Sequence, residues 1–173
     1  MIVYILVGLI GSGKSTWARE KAKEDKTVII NKDMFRQMFK GEYFFHEDYE
    51  RLVNQMANAC FLKALQKGYN VIIDETNITK KKRAAYVEAV KEHYYMIDEP
   101  VEFEMVWFPE KRNNIENRMK EPKGYTQEKW EAVLRGMKSA FEEPELDELA
   151  IGGRLRIIDR CDTKTMIRTE EDE

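Results

Sequence analysis

Short apolar segments alternate with longer amphipathic segments along most of the chain. Residues 2–7 are apolar without interruption, which is typical of a central strand that is covered on both faces of a sheet. Because parallel strands need a crossover between them, this alternation predicts an α/β fold with a mostly parallel sheet. The predicted strands are residues 2–7, 27–30, 71–73, 101–107 and 154–159. We therefore expect a five-stranded sheet that is flanked by helices on both faces.

Helical spacing of apolar residues and capping residues predict the helices between these strands. The longest helix is expected over residues 48–67, before Gly68, with an apolar face made of Leu52, Val53, Met56, Ala59, Cys60 and Leu65. Further helices are expected over residues 14–24, 33–39, 79–94 and 126–141. Pro109 is expected to start another helix. A break is expected over residues 120–125, and the acidic segment 142–148 is expected to be a solvated connector.

Composition and charge limit the classes of function. The chain has 173 residues, so we expect one domain over residues 1–173. Its 29 Lys and Arg against 32 Asp and Glu give a net charge of −3, which excludes a uniformly basic nucleic-acid coat but not a local basic groove. The longest apolar run, residues 1–10, is too short to span a bilayer and lacks the flanks of a signal peptide, so we expect no membrane partner and a cytoplasmic location.

Cysteines and histidines are few and show no metal-binding spacing. Cys60 and Cys161 lie far apart, so we expect two buried or half-buried thiols in a reducing compartment. With His46 and His93 as the two histidines of the chain, histidine-based metal or nucleophilic chemistry is not expected.

Residues 8–15 match the phosphate-binding motif G-x-x-x-x-G-K-[ST] and lie between the first strand and the first helix. Glycines let backbone N–H groups surround phosphate oxygens, and the helix N-terminus adds partial positive charge. The motif predicts binding of a nucleoside triphosphate through Gly8, Gly11, Ser12, Gly13, Lys14 and Ser15. Lys14 is expected to reach the β- and γ-phosphates, and the Ser15 hydroxyl to bind Mg²⁺. Thr16 is either a phosphate contact or a residue of the first helical turn. A glycine-rich turn without a ligand is the alternative, but a chance match is on the order of one in a hundred or rarer.

The second strand is followed by Asp33 and Arg36. Ligands of open parallel sheets bind beyond the carboxyl ends of the strands, so both side chains are expected beside the phosphate site. Asp33 is a candidate general base that accepts the proton of an attacking hydroxyl. Arg36 lies one helical turn further on and is a candidate for binding the acceptor or the transferred phosphate. The alternative is an aspartate that caps a helix and pairs with Arg36.

The third strand ends in Asp74, followed by Glu75, Thr76 and Asn77. An apolar strand that ends in aspartate at this edge is the Walker-B arrangement, which positions Mg²⁺. Thr76 and Asn77 are candidates for fixing the loop or for binding substrate. In the alternative, these turn residues satisfy their own backbone.

Residues 111–125 are rich in basic side chains and are expected to form a helical lid. A lid that brings an arginine to the transferring phosphoryl group speeds phosphoryl transfer, and closure excludes water. Arg118 is the first candidate because it precedes the break at Pro122 and Gly124, and Arg112 is the second. A solvated helix face is the alternative for both.

Two further features are compatible with nucleic acid. Residues 80–83 are Lys-Lys-Lys-Arg and could follow a polynucleotide backbone, although a solvated surface explains them equally well. The aromatic side chains Tyr43, Phe44, Phe45 and Tyr49 could stack on a nucleobase, although burial in the loop is the commoner role of such residues.

The segments GSGKSTWARE, NKDMFRQ, VIIDETN and KRN with a following arginine resemble the kinase domain of bacteriophage 5′-hydroxyl polynucleotide kinase. The resemblance covers residues 1 to about 141 and implies a P-loop kinase fold and transfer of the ATP γ-phosphate to a 5′-hydroxyl end of DNA or RNA. By position, it implies that Lys14 and Ser15 are P-loop residues, Asp33 the general base, Arg36 the acceptor-site arginine and Arg118 the lid arginine.

Three features depart from the phage enzyme. The chain is too short for the separate phosphatase domain of that enzyme. The third-strand loop reads D-E-T-N, which favours Asp74 over Glu75 as the functional residue. The spacing after KRN also differs, so Arg118 rests on its placement.

The hypothesis is therefore an ATP- and Mg²⁺-dependent kinase of 5′-hydroxyl nucleic-acid ends. The first alternative is a P-loop kinase of a nucleoside, nucleotide or modified base, which would have a closed pocket for a small acceptor. The second is a nucleotide-binding ATPase switch, in which Asp33 would be dispensable for ATP turnover. Oligomeric state is left open by the sequence.

Overall fold

A computed structural model of the chain describes residues 1–24, 26–149, 153–158 and 166–168. Its strands are β1 (Ile2–Val7), β2 (Thr27–Ile30), β3 (Asn70–Ile73), β4 (Glu102–Trp107), β5 (Arg154–Ile157) and β6 (Met166–Arg168). Its α-helices are α1 (Lys14–Lys21), α2 (Lys32–Lys40), α3 (Glu47–Gln66), α4 (Lys80–Glu92), α5 (Asn114–Met119) and α6 (Gln127–Ser139). Short 3₁₀ turns occur at Tyr94–Met96 and Leu146–Glu148.

The strands form one sheet in the order β2-β3-β1-β4-β5-β6. Strands β1 to β5 pair in parallel, which confirms the predicted α/β fold and its five parallel strands. Strand β6 pairs antiparallel with β5 at the edge and was not predicted, because three residues in a polar stretch give no period-two signal.

Each face of the sheet is covered by its own apolar cluster, as the uninterrupted apolar sequence of β1 predicts. Val3, Ile5 and Val7 face the helices α3 and α4, whereas Tyr4 and Leu6 face α1. This separation follows from the alternation of side chains along a strand. The helices therefore hold the sheet from both sides, and all parallel strands end at the same edge.

The buried face of α3 differs from the prediction. The buried residues are Val53, Ala57, Phe61 and Leu65, which repeat every four residues. Leu52 is 47% exposed, and Ala59 and Cys60 are also exposed. The predicted face mixed two neighbouring stripes of the helix, and only the stripe that contacts the sheet is buried. The expected burial of the Cys60 thiol is therefore wrong, whereas Cys161 lies outside the described residues.

Two connections also differ from the prediction. Helix α5 begins at Asn114 rather than near Pro109, because β4 continues its pairing until the Phe108 N–H donates to the carbonyl of Val7. The Asn114 side chain then accepts from the N–H of Lys111 and shapes the turn before the helix. The caps at Thr79 and Thr126 are confirmed, since each side chain accepts a backbone N–H of the first helical turn. Within the described ranges, no helix is long and apolar enough to cross a membrane.

Candidate active site

A cavity of about 900 Å³ lies at the edge where the parallel strands end. Its walls come from the loop after β1, the start of α2, the loop after β3, and the segment of α5 and its following turn. Residues from all four predicted functional segments therefore meet in one space. The predicted site residues that line this cavity are Gly11, Ser12, Gly13, Lys14, Ser15, Thr16, Asp33, Arg36, Asp74, Thr76 and Arg118.

The loop after β1 has the backbone shape of a phosphate cradle. Gly11 and Gly13 adopt φ of 69° and 101°, which are left-handed values that a residue with a Cβ rarely adopts. The N–H of Gly8 donates to the carbonyl of Thr76, which ties the loop to the neighbouring strand end. Gly8 thus fixes the base of the loop, whereas Gly11 and Gly13 line the cavity.

Lys14 is held inside this loop. Its Nζ donates to the carbonyls of Gly8 and Leu9 at 2.9 and 2.7 Å and to the Ser12 hydroxyl at 3.3 Å. Burial lowers the pKa of Lys14 to about 8, although the nearby carboxylate of Asp74 opposes the shift. A buried ammonium with this pKa favours a polyanionic ligand, whose charge would restore the stability of the protonated form.

One pair of residues, Ser15 and Asp74, is suited to a magnesium ion. The Ser15 hydroxyl donates to Asp74 Oδ1 at 3.2 Å. Asn31 Nδ2 donates to Asp74 Oδ2 at 2.9 Å and so orients the carboxylate. Mg²⁺ binds hard oxygen ligands and completes its shell with water and substrate phosphates, so one hydroxyl beside one carboxylate fits it. These two residues would hold the ion between the cradle and the end of β3.

Asp33 lies across the cavity at the start of α2, in contact with two cations. Arg36 donates through Nη1 to Asp33 Oδ1, and Lys123 from the turn after α5 pairs with Asp33 Oδ2. Arg36 also donates through Nε and Nη2 to both oxygens of Glu50, each at 2.8 Å. Burial lowers the pKa of Arg36, but the hydrogen bonds to Glu50 and the charge of Asp33 outweigh it and raise that pKa.

The sequence offers the pairing of Asp33 with Arg36 as the alternative to a catalytic role. In the structure, this pairing leaves both side chains able to contact a ligand. Three of the five N–H donors of Arg36 are engaged in the three bonds described, which leaves two for a ligand. The Asn31 side chain, and not Asp33, caps α2 by accepting from the Asp33 N–H. The Asp33 carboxylate is therefore directed into the cavity, where it lines the wall.

Glu75 is a half-buried carboxylate beside this pair. Its Oε1 accepts from the N–H of Lys32 at 2.6 Å, and burial raises its pKa. Sequence reasoning favoured Asp74 over Glu75, and the structure gives them different positions: Asp74 contacts Ser15, whereas Glu75 contacts the start of α2.

Thr76 and Asn77 separate in the structure. Thr76 lines the cavity, and its carbonyl accepts from Gly8. Asn77 is buried with φ of 44°, and its Nδ2 donates to the carbonyl of Leu6 at 2.8 Å. Asn77 therefore fixes the loop and does not line this cavity, which corresponds to the loop-fixing role that the sequence left open.

The segment 111–125 covers the cavity with Arg118 and Lys123. The Arg118 guanidinium lies over the Trp130 ring at 4.5 Å, and its Nε is buried without a partner in the described part of the chain. Burial lowers the pKa of Arg118. Arg112, the second candidate, is exposed before α5 and does not line the cavity.

Lys123 is the functional candidate that sequence reasoning did not single out. It has φ of 51° and lies between Pro122 and Gly124, in the predicted break. Its ammonium lies 5.1 Å from the centre of the Tyr43 ring. The turn residues Pro122 and Gly124 were visible in the sequence, but the contact of Lys123 with Asp33 spans 90 positions and left no local signal.

The aromatic loop after α2 lies at the mouth of the cavity. Tyr43 and Phe45 line the cavity, and Phe45 is 48% exposed. Phe44 and Tyr49 pack edge to face at 5.8 Å, beside the ammonium of Lys40, which lies 3.8 Å from the Phe44 ring centre. Burial raises the pKa of Tyr43 to about 12. The loop therefore presents aromatic and cationic groups side by side.

The basic run 80–83 has a mixed role. Arg83 is 1% exposed, and its guanidinium pairs with both oxygens of Glu148 at 2.6 and 2.8 Å. The Lys80 ammonium pairs with Glu145, so the acidic segment 142–148 is not a merely solvated connector but the partner of this run. Lys82 is exposed and lines the cavity, so it is the member of the run that a ligand at this site can contact.

Two relatives match this chain over part of their length. L-seryl-tRNA(Sec) kinase of Methanococcus maripaludis is 30% identical over 96 residues, which cover 53% of this chain and 36% of the relative. A chain of the Pnkp1/Rnl/Hen1 RNA repair complex is 29% identical with a TM-score of 0.56, over 82% of this chain and 46% of that chain. The chain thus spans less than half the length of either relative.

A putative kinase from Chloroflexus aurantiacus has the same fold, with a TM-score of 0.63 and 19% identity over 91% of this chain and 84% of that chain. The profile of a family described as an AAA domain matches residues 3–144. That range contains the phosphate cradle, Asp33, Asp74 and the segment with Arg118. The chain belongs to this AAA domain family and is a P-loop kinase that resembles polynucleotide kinases.

Proposed function

We propose that the chain transfers the γ-phosphate of ATP to a 5′-hydroxyl end of DNA or RNA. The observation that carries this proposal is the position of Asp33, which faces the phosphate cradle across one cavity and is flanked by Arg36. A nucleotide-binding switch needs no carboxylate and arginine opposite its phosphates, whereas a kinase needs a base and an anchor for the acceptor.

In the proposed reaction, the Asp33 carboxylate accepts the proton of the 5′-hydroxyl. The hydroxyl oxygen forms a bond to the γ-phosphorus as the bond from that phosphorus to the β,γ-bridging oxygen breaks, and ADP leaves. Asp33 then releases its proton to solvent. Arg36 orients the acceptor through its two remaining N–H donors.

Positive charge around the transferring phosphoryl group lowers the barrier in this chemistry. Lys14 supplies it from the cradle, and Arg118 and Lys123 supply it from the lid. A Mg²⁺ ion at Ser15 and Asp74 would neutralise further charge on the β- and γ-phosphates. Lys123 contacts Asp33 and is therefore the lid cation beside the proposed base.

Three observations favour a polynucleotide acceptor over a small molecule. Phe45, which is 48% exposed, lines the cavity at its rim together with Tyr43, and bases stack on such aromatic surfaces. Lys82 lies on the same rim, where it can contact a backbone phosphate. Two relatives also carry RNA in their names, an aminoacyl-tRNA kinase and an RNA repair complex.

The test is to incubate the chain with MgATP and a single-stranded oligonucleotide that ends in a 5′-hydroxyl, and to follow the oligonucleotide by mass. We expect a gain of one phosphoryl group. Asp33→Asn should lower the rate by about 10²–10⁴-fold. Asp48→Asn, which removes an exposed carboxylate on α3 away from the cavity, is the matched control and should keep the rate.

A wild-type chain that binds ATP but phosphorylates no DNA or RNA oligonucleotide would refute the polynucleotide acceptor. A panel of nucleosides, nucleotides and modified bases would then identify a small acceptor for the same base and cradle. ATP turnover that survives Asp33→Asn unchanged would refute the kinase mechanism itself.

A further inference from the structure

A second cavity, of about 510 Å³, adjoins the active-site cavity. Five residues line both cavities, so the two spaces communicate at one rim: Arg36, Phe45, Glu75, Thr76 and Lys82. We call the second cavity the side lobe. It lies between α3 and α4, and Ile30 at the end of β2 contributes to its wall.

The wall of the side lobe combines flat apolar surface with neutral polar groups. Ile30 and Ala57 are buried apolar residues, and the Tyr86 ring packs edge to face on Phe61 at 5.7 Å. Asn54 and Asn58 stand one turn apart on α3 and line the lobe. Asn54 Nδ2 donates to the carbonyl of Glu50, so the Oδ1 atom of Asn54 is available to accept a hydrogen bond from a ligand. The Asn58 side chain forms no hydrogen bond with another residue in the described ranges.

Two of the three cationic residues that line the lobe lie at its rim, and the third, Lys32, is accompanied away from the rim by the carboxylate of Glu50. Arg36 and Lys82 lie where the two cavities meet, and Arg36 is held there by Glu50. A phosphate would therefore be bound at the rim and not inside the lobe. Apart from Lys32 and Glu50, whose opposite charges offset each other, the interior offers amide and phenol groups at the edges of an apolar slot, which is the surface that a heteroaromatic ring with N–H and C=O groups requires.

We propose that the side lobe binds the nucleobase of the acceptor's 5′-terminal nucleoside, which rests on the proposed function of the active site. With the 5′-hydroxyl at Asp33, the attached sugar lies beside Arg36, one helical turn further along α2. The base then enters the lobe past Phe45, with Asn54 and Asn58 opposite its polar edge. A sugar or polyol acceptor would leave the apolar wall of the lobe unused.

The experiment compares two acceptors, a 5′-hydroxyl oligonucleotide and the same oligonucleotide with an abasic 5′-terminal residue. We expect kcat/KM of the wild type to be about tenfold or more higher for the base-bearing acceptor, in the range that base stacking supplies. Ala85 is an exposed residue of α4 that lines the lobe, so Ala85→Trp fills the lobe without disturbing the core. In this variant the ratio between the two acceptors should fall toward one.

Ala59→Trp is the matched control, since Ala59 is exposed on α3 and lines neither cavity, and it should keep the wild-type ratio. The double variant Asn54→Ala/Asn58→Ala provides a second perturbation that adds no bulk, and it should also lower the ratio. Equal kcat/KM for the two acceptors in the wild type would overturn the nucleobase site while the kinase function stands. Absence of phosphorylation of either acceptor would instead overturn the proposed function on which the site rests.

Discussion

Replacing Gly11 with alanine would place a methyl group between the phosphate cradle and the lid. Gly11 has φ of 69°, and a Cβ there would lie 2.8 Å from the carbonyl carbon of Asn114 and closer still to its oxygen. Non-bonded carbons rest at about 3.5–4.0 Å, so the first turn of α5 must move by roughly 1 Å. That movement would also stretch the hydrogen bond from Asn117 Nδ2 to the carbonyl of Gly11, which is 3.2 Å long.

The loss in the free energy of unfolding that Gly11→Ala causes has two parts, and a control variant separates them. A residue with a Cβ in the left-handed region costs about 1–2 kcal/mol. Insertion of a methyl group into a packed contact adds about 1–3 kcal/mol. Gly41 has φ of 75° but no heavy atom within 4 Å of its added Cβ, so Gly41→Ala carries the first part alone. We expect the free energy of unfolding to fall by about 2–5 kcal/mol for Gly11→Ala and by about 1–2 kcal/mol for Gly41→Ala.

Urea unfolding measures these free energies, and calorimetric titration with MgATP measures nucleotide affinity. Helix α5 bears Arg118, which lines the cavity, so a displacement of α5 also moves this arginine. Gly11→Ala should therefore weaken ATP binding by about tenfold or more, which corresponds to about 1.4 kcal/mol or more. Gly41→Ala should bind ATP as the wild type does. If both variants unfolded alike and bound ATP within a factor of two of the wild type, the lid would not be packed against the cradle at Gly11.

Other contacts give further predictions. Lys123→Ala should lower kcat about 10²-fold by removing a lid cation beside Asp33. Lys63→Ala, at an exposed lysine of α3 that lines neither cavity, should keep the wild-type kcat, and equal rates for the two variants would contradict the role of Lys123. Arg83→Gln should lower the free energy of unfolding by about 3–5 kcal/mol because it leaves a buried carboxylate unpaired. The exposed Lys91→Gln should lower it by less than about 1 kcal/mol in the same urea titration. Burial lowers the pKa of Lys14 from 10.5 to about 8, so the unfolded chain binds more protons between these values. The free energy of unfolding should therefore gain a rising component from pH 8 to 10.5 that Lys14→Met lacks.

The features that were predicted correctly from the sequence are those whose residues lie close together along the chain. The cradle is a contiguous motif, and its position after an apolar strand fixes its place in the sheet. Because parallel strands end at one edge, residues that follow three different strands could be placed together without any knowledge of contacts. Asp33 and Asp74 do line the cavity that contains Lys14.

The contacts that sequence reasoning missed join distant parts of the chain. Lys123 meets Asp33 across 90 positions, and Arg83 meets Glu148 across 65 positions. Each of these side chains belongs to a charged stretch that, taken alone, is typical of a solvated surface. Periodicity likewise showed that α3 is amphipathic, but the stripe that is buried depends on where the sheet lies, which is why Leu52 was wrongly placed inside.

The central strand β1 has consequences for the order in which the chain folds during synthesis. Val3 pairs with Val71 on one side and with Phe103 on the other, so neither neighbour of β1 is close to it in sequence. Such long-range pairing forms slowly because loop-closure entropy is lost before the contacts compensate for it. The cradle is completed in the same way, by Thr76 at Gly8 and by Asn114 at Gly11. On the ribosome, the phosphate-binding segment therefore emerges long before the residues that support it, and the complete cradle forms only once α5 has been translated.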